Sequence, residues 1–225
     1  MPAECLLLAA CADLLLRAPS SQTTIMAVEY DGGVVMGADS RTSTGSYVAN
    51  RVSDKITYVH DKVYVCRSGS AADTQAIADI VRMYLNMHSL ELGKAPEVPV
   101  AANILNQMCY GNKNNLMAGM ICAGWDERNG GVVYSIPLGG GLFRESYTIG
   151  GSGSGYIYGY CDANFKKGMS KQEAQEFVKN AVSLAMWRDG SSGGVIRTVT
   201  ISKDGVEREM VLGDKLPQLH SGWCP

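Results

Sequence analysis

Histidine and paired cysteine, the side chains that build most metal sites, are scarce in this sequence. The 225 residues include 3 histidines and 7 cysteines, and no two cysteines form a C-x-x-C pair. Zinc sites need cysteine and histidine ligands at close, regular spacing, and small secreted frameworks usually pair an even number of cysteines. We therefore expect no metal and no disulfide framework. The chain also lacks an N-x-[ST] glycosylation acceptor, which fits a reducing compartment.

Neither sign of charge is in surplus, and long apolar runs are missing. Lys and Arg number 20 against 22 Asp and Glu, which gives a net charge of −2. Nucleic acids attract proteins that carry a basic surplus, and a membrane-spanning helix needs about 20 apolar residues in a row. We expect no nucleic acid partner and no membrane span.

The first 22 residues differ in composition from the rest of the chain. They are rich in Leu and Ala and end in A-P-S-S-Q at 18–22, after which strand-like patterning begins. Glu4 precedes the apolar run and no Lys or Arg does, which disfavours a signal peptide. We predict a leader at 1–22 and a single domain at 23–225.

Proline is rare and glycine is abundant, with 7 and 26 residues, and many glycines fall in pairs between β-prone runs. Strand-like runs on either side of Asp-Gly or Asn-Gly are typical of β-hairpins. Three such pairs are predicted, together with a fourth hairpin around His60-Asp61-Lys62 and one further strand. They cover residues 24–30 with 33–38, 55–59 with 63–66, 117–125 with 131–136, 195–202 with 206–212, and 142–149.

Apolar residues at helical spacing predict three helices, at 73–90, 98–116 and 170–188. The last begins with Ser170-Lys171-Gln172-Glu173, the pattern of a capping box. Two helices separate the central hairpins, and the third precedes the last hairpin. Hairpin pairing with helices between the hairpins predicts an α+β fold with antiparallel sheets and external helices.

The glycine-rich segment at 150–155 is similar to a phosphate-binding loop but lacks the lysine and the spacing of one. A tight turn that places Ser152 is the favoured interpretation, so we expect no cofactor. Ser/His/Asp chemistry has little support, because His60 is expected in a hairpin turn and His88 near a helix end, as surface or capping residues. Cys66 and Cys122 stand in apolar runs and are expected in the core.

Polar residues at the ends of strand-like runs are more informative. Asp39 ends one apolar run, Lys55 begins another, and Asp189 with Ser192 follows the last helix. Patterning alone favours a structural interpretation, in which Asp39 and Lys55 form a buried ion pair and the other two residues cap a turn.

Six ordered segments carry a resemblance to a known family. They are T-T-I-M-A-V at 23–28, G-A-D-S-R at 37–41, N-R-V-S-D-K at 50–55, C-R-S-G-S-A-A-D at 66–73, I-G-G-S-G-S at 149–154 and R-D-G-S-S-G-G at 188–194. Together they closely resemble beta-type subunits of the eukaryotic 20S proteasome over about residues 23–214, and most of all the caspase-like beta-1 type. The resemblance implies the N-terminal nucleophile hydrolase fold, a four-layer α-β-β-α sandwich with two antiparallel sheets.

The resemblance also implies a catalytic mechanism. Cleavage after Gln22 would free the α-amine of Thr23, which would act as the base for its own hydroxyl nucleophile. Lys55 would favour the alkoxide, and Asp39 would hold Lys55 in place. The residues that would orient the amine and a nearby water are Ser152, Asp189 and Ser192.

Substrate-binding residues are implied in the same way. The backbone N–H of Gly69 would be the oxyanion donor, and Ser43, Gly69 and Ala71 would bind the substrate backbone as an added strand. Arg67 would line the primary pocket, where a guanidinium pairs well with a carboxylate. The expected activity is therefore cleavage after acidic residues.

The implied partners are other alpha and beta subunits in a four-ring stack of seven-membered rings, a regulatory cap, and unfolded, ubiquitin-tagged polypeptides, in cytoplasm and nucleus. One position departs from the family pattern, because Gln22 stands where the family usually has Gly. This departure keeps open the alternative of an unprocessed, non-catalytic architectural beta subunit. A second alternative, independent of position 22, is a free N-terminal nucleophile amidohydrolase that acts on small amides without partner chains.

Overall fold

The computed structural model describes residues 23–44 and 47–217, so the predicted leader and the last eight residues lie outside the described part of the chain. The strands follow one another mainly as hairpins, as the turn signals predict. They are β1 (Ile25–Tyr30), β2 (Gly33–Ala38), β3 (Thr42–Thr44), β4 (Tyr47–Asn50), β5 (Ile56–His60), β6 (Val63–Gly69), β7 (Ala118–Asp126), β8 (Gly130–Ile136), β9 (Phe143–Glu145), β10 (Tyr147–Gly150), β11 (Ile196–Ser202) and β12 (Gly205–Val211).

Within residues 23–44 and 47–217 the strands form two five-stranded sheets and a separate two-stranded ribbon. The first sheet has the order β10-β1-β2-β11-β12 and the second has the order β5-β6-β7-β8-β9, while β3 and β4 pair with each other. The pairings are antiparallel. The predicted α+β class with antiparallel sheets is confirmed.

The described part of the chain forms four α-helices outside the sheets: α1 (Ala71–Leu92), α2 (Val98–Gly111), α3 (Tyr158–Asn164) and α4 (Lys171–Arg188). The capping box predicted at Ser170 and Glu173 is present at the start of α4. Helix α2 ends at Gly111, earlier than the predicted residue 116, because the following G-N-K-N-N segment is rich in poor helix formers.

Three layers of buried side chains hold the fold together. Helices α1 and α2 pack on the second sheet through Ile77, Leu85, Leu105, Val65 and Met120. The sheets pack on each other through residues that include Ile25, Met36, Cys66, Ile121 and Val199. Helices α3 and α4 cover the first sheet through residues that include Met26, Val28, Ile157, Phe177 and Val178. This is the four-layer α-β-β-α sandwich that the resemblance implies.

The single strand predicted at 142–149 is wrong. The chain forms β9 on the second sheet and β10 on the first, and it crosses between the sheets at Ser146. The crossing is fixed by a 2.8 Å hydrogen bond from the Glu29 N–H to the Ser146 carbonyl. Both halves have strand-forming residues, so local sequence does not reveal the change of partner. The ribbon of β3 and β4 and helix α3 were not predicted.

Two core predictions have different outcomes. Cys66 and Cys122 are buried as expected, and burial raises the pKa of the Cys122 thiol to about 12, so this thiol is a core group and not a nucleophile. His60 was expected at the surface of a turn, but it ends β5 and is buried. The turn itself lies at Asp61 and Lys62, and the strand extends one residue further than its apolar pattern indicated.

Candidate active site

The strand register of the first sheet brings three chain segments to one end of the sandwich. Ile25 pairs with Ala38 on one side and with Gly150 on the other. The residues just beyond these pairs, Thr24 and Asp39 among them, therefore lie next to each other. The end of α4 reaches the same place through the turn that leads into β11.

Asp39 is the centre of a fully buried hydrogen-bond cluster. Its Oδ1 accepts from the Lys55 Nζ at 2.7 Å and from the Thr24 N–H at 2.9 Å. Its Oδ2 accepts from the Gly193 N–H at 3.0 Å and from the Arg41 N–H at 3.2 Å. The carboxylate is 0% exposed, so these donors replace the water that it lacks. The predicted ion pair between Asp39 and Lys55 is confirmed.

Lys55 is buried at the start of the second sheet with its ammonium aimed at Asp39. Burial lowers the pKa of the Lys55 ammonium, and attraction to Asp39 offsets only part of that effect, so the pKa lies below its ordinary value. A cation in such an environment favours any negative charge that develops beside it.

Thr23 lies against Ser152, although the two residues are far apart in sequence. The Thr23 backbone N donates to the Ser152 Oγ at 3.1 Å, and the Ser152 hydroxyl donates to the Asp189 Oδ2 at 2.7 Å. The Ser192 hydroxyl donates to the same Asp189 oxygen at 2.7 Å. Asp189 thus orders the two hydroxyls, and one of them holds the backbone nitrogen of Thr23.

The glycine-rich segment is a tight turn that places Ser152, and it packs closely on Thr23. Gly151 has a φ of +84°, and a Cβ there would lie 2.0 Å from the Thr23 carbonyl oxygen. Only glycine fits this conformation and this distance. The Gly153 N–H donates to the Thr23 carbonyl at 3.3 Å, so the loop binds the protein's own chain.

Asp189 ends helix α4 and is held as a charged group. Burial acts to raise the pKa of the Asp189 carboxyl, but hydrogen bonds from Ser192, Ser152 and Ser191 outweigh burial and hold the pKa below its ordinary value. An ionised carboxylate accepts hydrogen bonds only. The hydroxyl protons of Ser152 and Ser192 therefore point at Asp189.

Ser192 lies in a G-x-S-x-G pattern, Gly190 to Gly194, which is also the pattern of a serine-hydrolase nucleophile elbow. The elbow joins a strand to a helix, whereas this segment joins α4 to β11. Ser192 is also buried, and its proton is directed to Asp189. The pattern here marks a turn and not a nucleophile.

Arg67 lies beside Lys55 on the neighbouring strand. The Arg67 N–H donates to the Lys55 carbonyl at 3.0 Å, and the Arg67 Nη2 donates to the Asp54 carbonyl at 3.0 Å. The Arg67 Nε is buried with no hydrogen-bond partner within residues 23–44 and 47–217. A guanidinium carries five N–H donors, so the bond to Asp54 leaves donors of the terminal nitrogens for a ligand. Burial lowers the pKa of the Arg67 guanidinium from its ordinary value.

Gly69 ends β6 in a conformation that favours glycine. Its φ is +116°, and a Cβ there would lie 2.1 Å from the Met117 carbonyl oxygen. Ser43 lies in the ribbon of β3 and β4, and Ala71 is the first residue of α1. The roles of Gly69, Ser43 and Ala71 in binding the oxyanion and the substrate stay predictions.

Two contacts of the site were not found from the sequence. The Thr24 hydroxyl lies 2.8 Å from the Ser192 Oγ. The Arg41 guanidinium donates to the Gly190 carbonyl at 2.8 Å and packs on Gly193, where a Cβ would lie 2.5 Å from its Cζ. A threonine that directly precedes an apolar strand-like run is the one sequence signal that could have drawn attention to Thr24.

A cleft of about 770 Å³ opens between the two sheets beside Ser152. Gly69 and Ser152 line it together with apolar side chains such as Met117, Ile136 and Leu138. The described residues contain no group of three or more His, Cys, Asp or Glu side chains placed to hold a metal. Within the same residues, every helix is too short or too polar to cross a membrane.

Comparison with known proteins gives a consistent set of matches. A family model described as "Proteasome subunit" matches residues 20–201. The chain is 62% identical to proteasome subunit beta type-6 of Dictyostelium discoideum over 89% of this chain and 94% of that protein. It is 55% identical to proteasome subunit beta type-1 of Saccharomyces cerevisiae over 88% of this chain and 91% of that protein. It is 54% identical to proteasome subunit beta type-9 of Mus terricolor over 88% of this chain and 90% of that protein.

Proposed function

The chain belongs to the proteasome subunit family, with beta-type subunits as its relatives, and from this premise we propose that it is a threonine endopeptidase that cleaves after acidic residues. Within the family, the resemblance to the caspase-like beta-1 type supports the choice of specificity. The single observation that carries the proposal is the chain of hydrogen bonds that positions the Thr23 nitrogen. This nitrogen bonds to Ser152, which bonds to the charged Asp189.

The proposed chemistry begins with a cut between Gln22 and Thr23, which converts this nitrogen into an α-amine. The reference pKa of an α-amine is about 7.7–8.0, close to neutral pH. Ser152 accepts one N–H of the neutral amine, and the lone pair of that amine takes the proton of the Thr23 hydroxyl. The Thr23 oxygen then bonds to the substrate carbonyl carbon, and the carbonyl oxygen becomes an oxyanion.

The oxyanion is stabilised by the Gly69 N–H, and the protonated amine gives its proton to the leaving nitrogen as the peptide C–N bond breaks. The product is an ester between Thr23 and the acyl half of the substrate. A water then attacks this ester, its proton goes to the amine, and the Thr23 oxygen recovers a proton as the acid product leaves. Lys55, held by Asp39, favours negative charge on the Thr23 oxygen throughout.

The specificity is proposed to rest on Arg67. The Arg67 side chain is half-buried on the strand that pairs with the Lys55 segment, and among the described residues its guanidinium bonds to the Asp54 carbonyl through Nη2. A glutamate or aspartate side chain in the pocket would supply a charged acceptor for the remaining donors of the terminal nitrogens.

Replacing Arg67 with leucine should change the preferred substrate. Without the guanidinium, cleavage after glutamate should fall by about 100-fold, because a charge-assisted pair of roughly 1.5–3 kcal/mol is lost. Cleavage after leucine should rise. The measurement is kcat/KM of assembled particles on two fluorogenic peptides that differ only in this residue.

Arg197→Leu is the matched control. Arg197 resembles Arg67 in that its buried Nε has no partner among the described residues and its Nη2 donates to a loop carbonyl, that of Val52. It lies on β11 of the other sheet. It should leave the ratio of the two rates unchanged. An unchanged ratio in the Arg67→Leu particles would remove Arg67 from the pocket.

The proposal includes the assembly and the setting of the protein. We expect a four-ring stack of seven-membered alpha and beta rings, closed by a regulatory cap, that degrades unfolded polypeptides in cytoplasm and nucleus. The alternative is an unprocessed architectural subunit. It is favoured by Gln22, because a strained self-cleavage junction is easier to build with glycine.

A further inference from the structure

Thr24, the residue before β1, connects the two acidic groups of the site: it bonds to Asp39 directly and reaches Asp189 through Ser192. Thr24 is 0% exposed. Its N–H donates to Asp39 at 2.9 Å, and its hydroxyl lies 2.8 Å from the Ser192 Oγ. Thr24 therefore links the Asp39 cluster, which holds Lys55, to the Asp189 cluster, which holds the Thr23 nitrogen.

The direction of the Thr24 hydrogen bond follows from the number of protons. A serine hydroxyl has one proton to donate, and Ser192 donates it to the Asp189 Oδ2 at 2.7 Å. Thr24 must therefore be the donor and Ser192 the acceptor. Ser152 stands in the same position on the other side, since it donates to Asp189 and accepts from Thr23. Thr23 and Thr24 are thus both linked to the Asp189 Oδ2, Thr23 through Ser152 and Thr24 through Ser192.

The fold leaves space for this contact by having glycine at position 153. A Cβ on Gly153 would lie 2.0 Å from the Thr24 Oγ1 and 3.2 Å from the Ser192 Oγ. A side chain there would push both hydroxyls apart.

We propose that the Thr24 hydroxyl is a positioning group. By donating to Ser192 it keeps the Ser192 proton directed at Asp189, and this sets the directions of the hydrogen bonds that hold the Thr23 amine. This inference rests on the proposed peptidase function. Thr24 touches neither substrate nor reacting atoms in this mechanism, so it is not itself a catalytic residue. It acts by giving Asp189 a second ordered donor, which weakens the pull of that carboxylate on the Ser152 and amine protons.

The test is Thr24→Val, which keeps the shape of the side chain and removes its donor. In assembled particles, kcat for cleavage after glutamate should fall about tenfold while KM stays within about twofold, because the lost interaction acts on chemistry and not on binding. The acidic limb of the pH profile of kcat/KM should move to higher pH. With one ordered hydrogen bond fewer, the Asp189 carboxylate stabilises the protonated amine more strongly. Thr24→Ser, which keeps the hydroxyl, should restore both values.

Two further variants separate positioning from packing. Thr198→Val alters another buried threonine of the same sheet and should leave kcat and the acidic limb unchanged. In a Ser192→Ala background, adding Thr24→Val should cause little further loss, because the acceptor is already gone. Full additivity of the two losses, or an unshifted acidic limb in Thr24→Val, would overturn the proposal.

The remaining outcomes are also informative. If Thr24→Val fails to assemble, the Thr24→Ser particles decide, since a loss of kcat with the donor retained contradicts the proposal and near-normal kcat supports it. If wild-type particles cleave after glutamate and Thr24→Val matches them, only this inference fails. If wild-type particles carry no activity at this subunit, the proposed function fails with it.

Discussion

Particles whose only change is Thr23→Ala are expected to lose cleavage after glutamate by at least about 10³-fold, because removing the attacking atom of a covalent catalyst leaves only weak background catalysis. The alanine keeps the backbone nitrogen and its bond to Ser152, so the rest of the site is preserved. The measurement is single-substrate kinetics on a fluorogenic peptide with glutamate before the cleaved bond.

Thr23→Ser and Thr198→Ala are the matched controls for this loss. The serine retains the hydroxyl and should retain most of the activity, and the Thr198 change truncates a buried threonine on the same sheet without touching the site. Near wild-type cleavage after glutamate in the Thr23→Ala particles would show that another group is the nucleophile.

The second large effect concerns the ion pair between Asp39 and Lys55. Asp39→Asn should lower kcat by about 10²-fold or more, because the Lys55 ammonium loses the charge that holds it and no longer favours the alkoxide. The subunit should also lose about 3–5 kcal/mol of unfolding free energy, since a buried cation is left without its counter-charge. Peptide kinetics and urea denaturation measure the two effects.

Stability and catalysis can be separated at this pair. The double variant Asp39→Asn, Lys55→Met removes the buried charge and should regain most of the unfolding free energy, but it should stay inactive. Glu207→Gln breaks the exposed pair of Glu207 with Lys171 and should cost no more than about 1 kcal/mol. Peptidase activity in the double variant would contradict the role given to Lys55.

Local signals in the sequence were sufficient for most of the fold. The Asp-Gly and Asn-Gly turns set the hairpins, and the Ser170 capping box sets the start of α4. The crossing at Ser146 was not predictable, because 142–149 reads as one uniform strand and the change of sheet is decided by the Glu29 N–H far away in sequence. Tertiary pairing, and not propensity, divides that segment.

The site was less accessible to pattern reasoning than the fold. Asp39 and Lys55 could be paired on patterning, because charged residues at the ends of buried strands need partners. The contact of Thr23 with Ser152 joins residues 129 positions apart, and such a contact carries no local signal. Resemblance to a family identified these residues, but it did not draw attention to Thr24, whose role follows only from the direction of its hydrogen bond.

The proposed mechanism requires a free amine on Thr23, so the most direct test is the intact mass and N-terminal sequence of this chain taken from assembled particles. We predict a chain that begins at Thr23, which would expose the amine that Ser152 and Asp189 orient. A chain that still carries residues 1–22 would leave that nitrogen as an amide without a basic lone pair. That result would contradict the peptidase assignment and favour the architectural subunit.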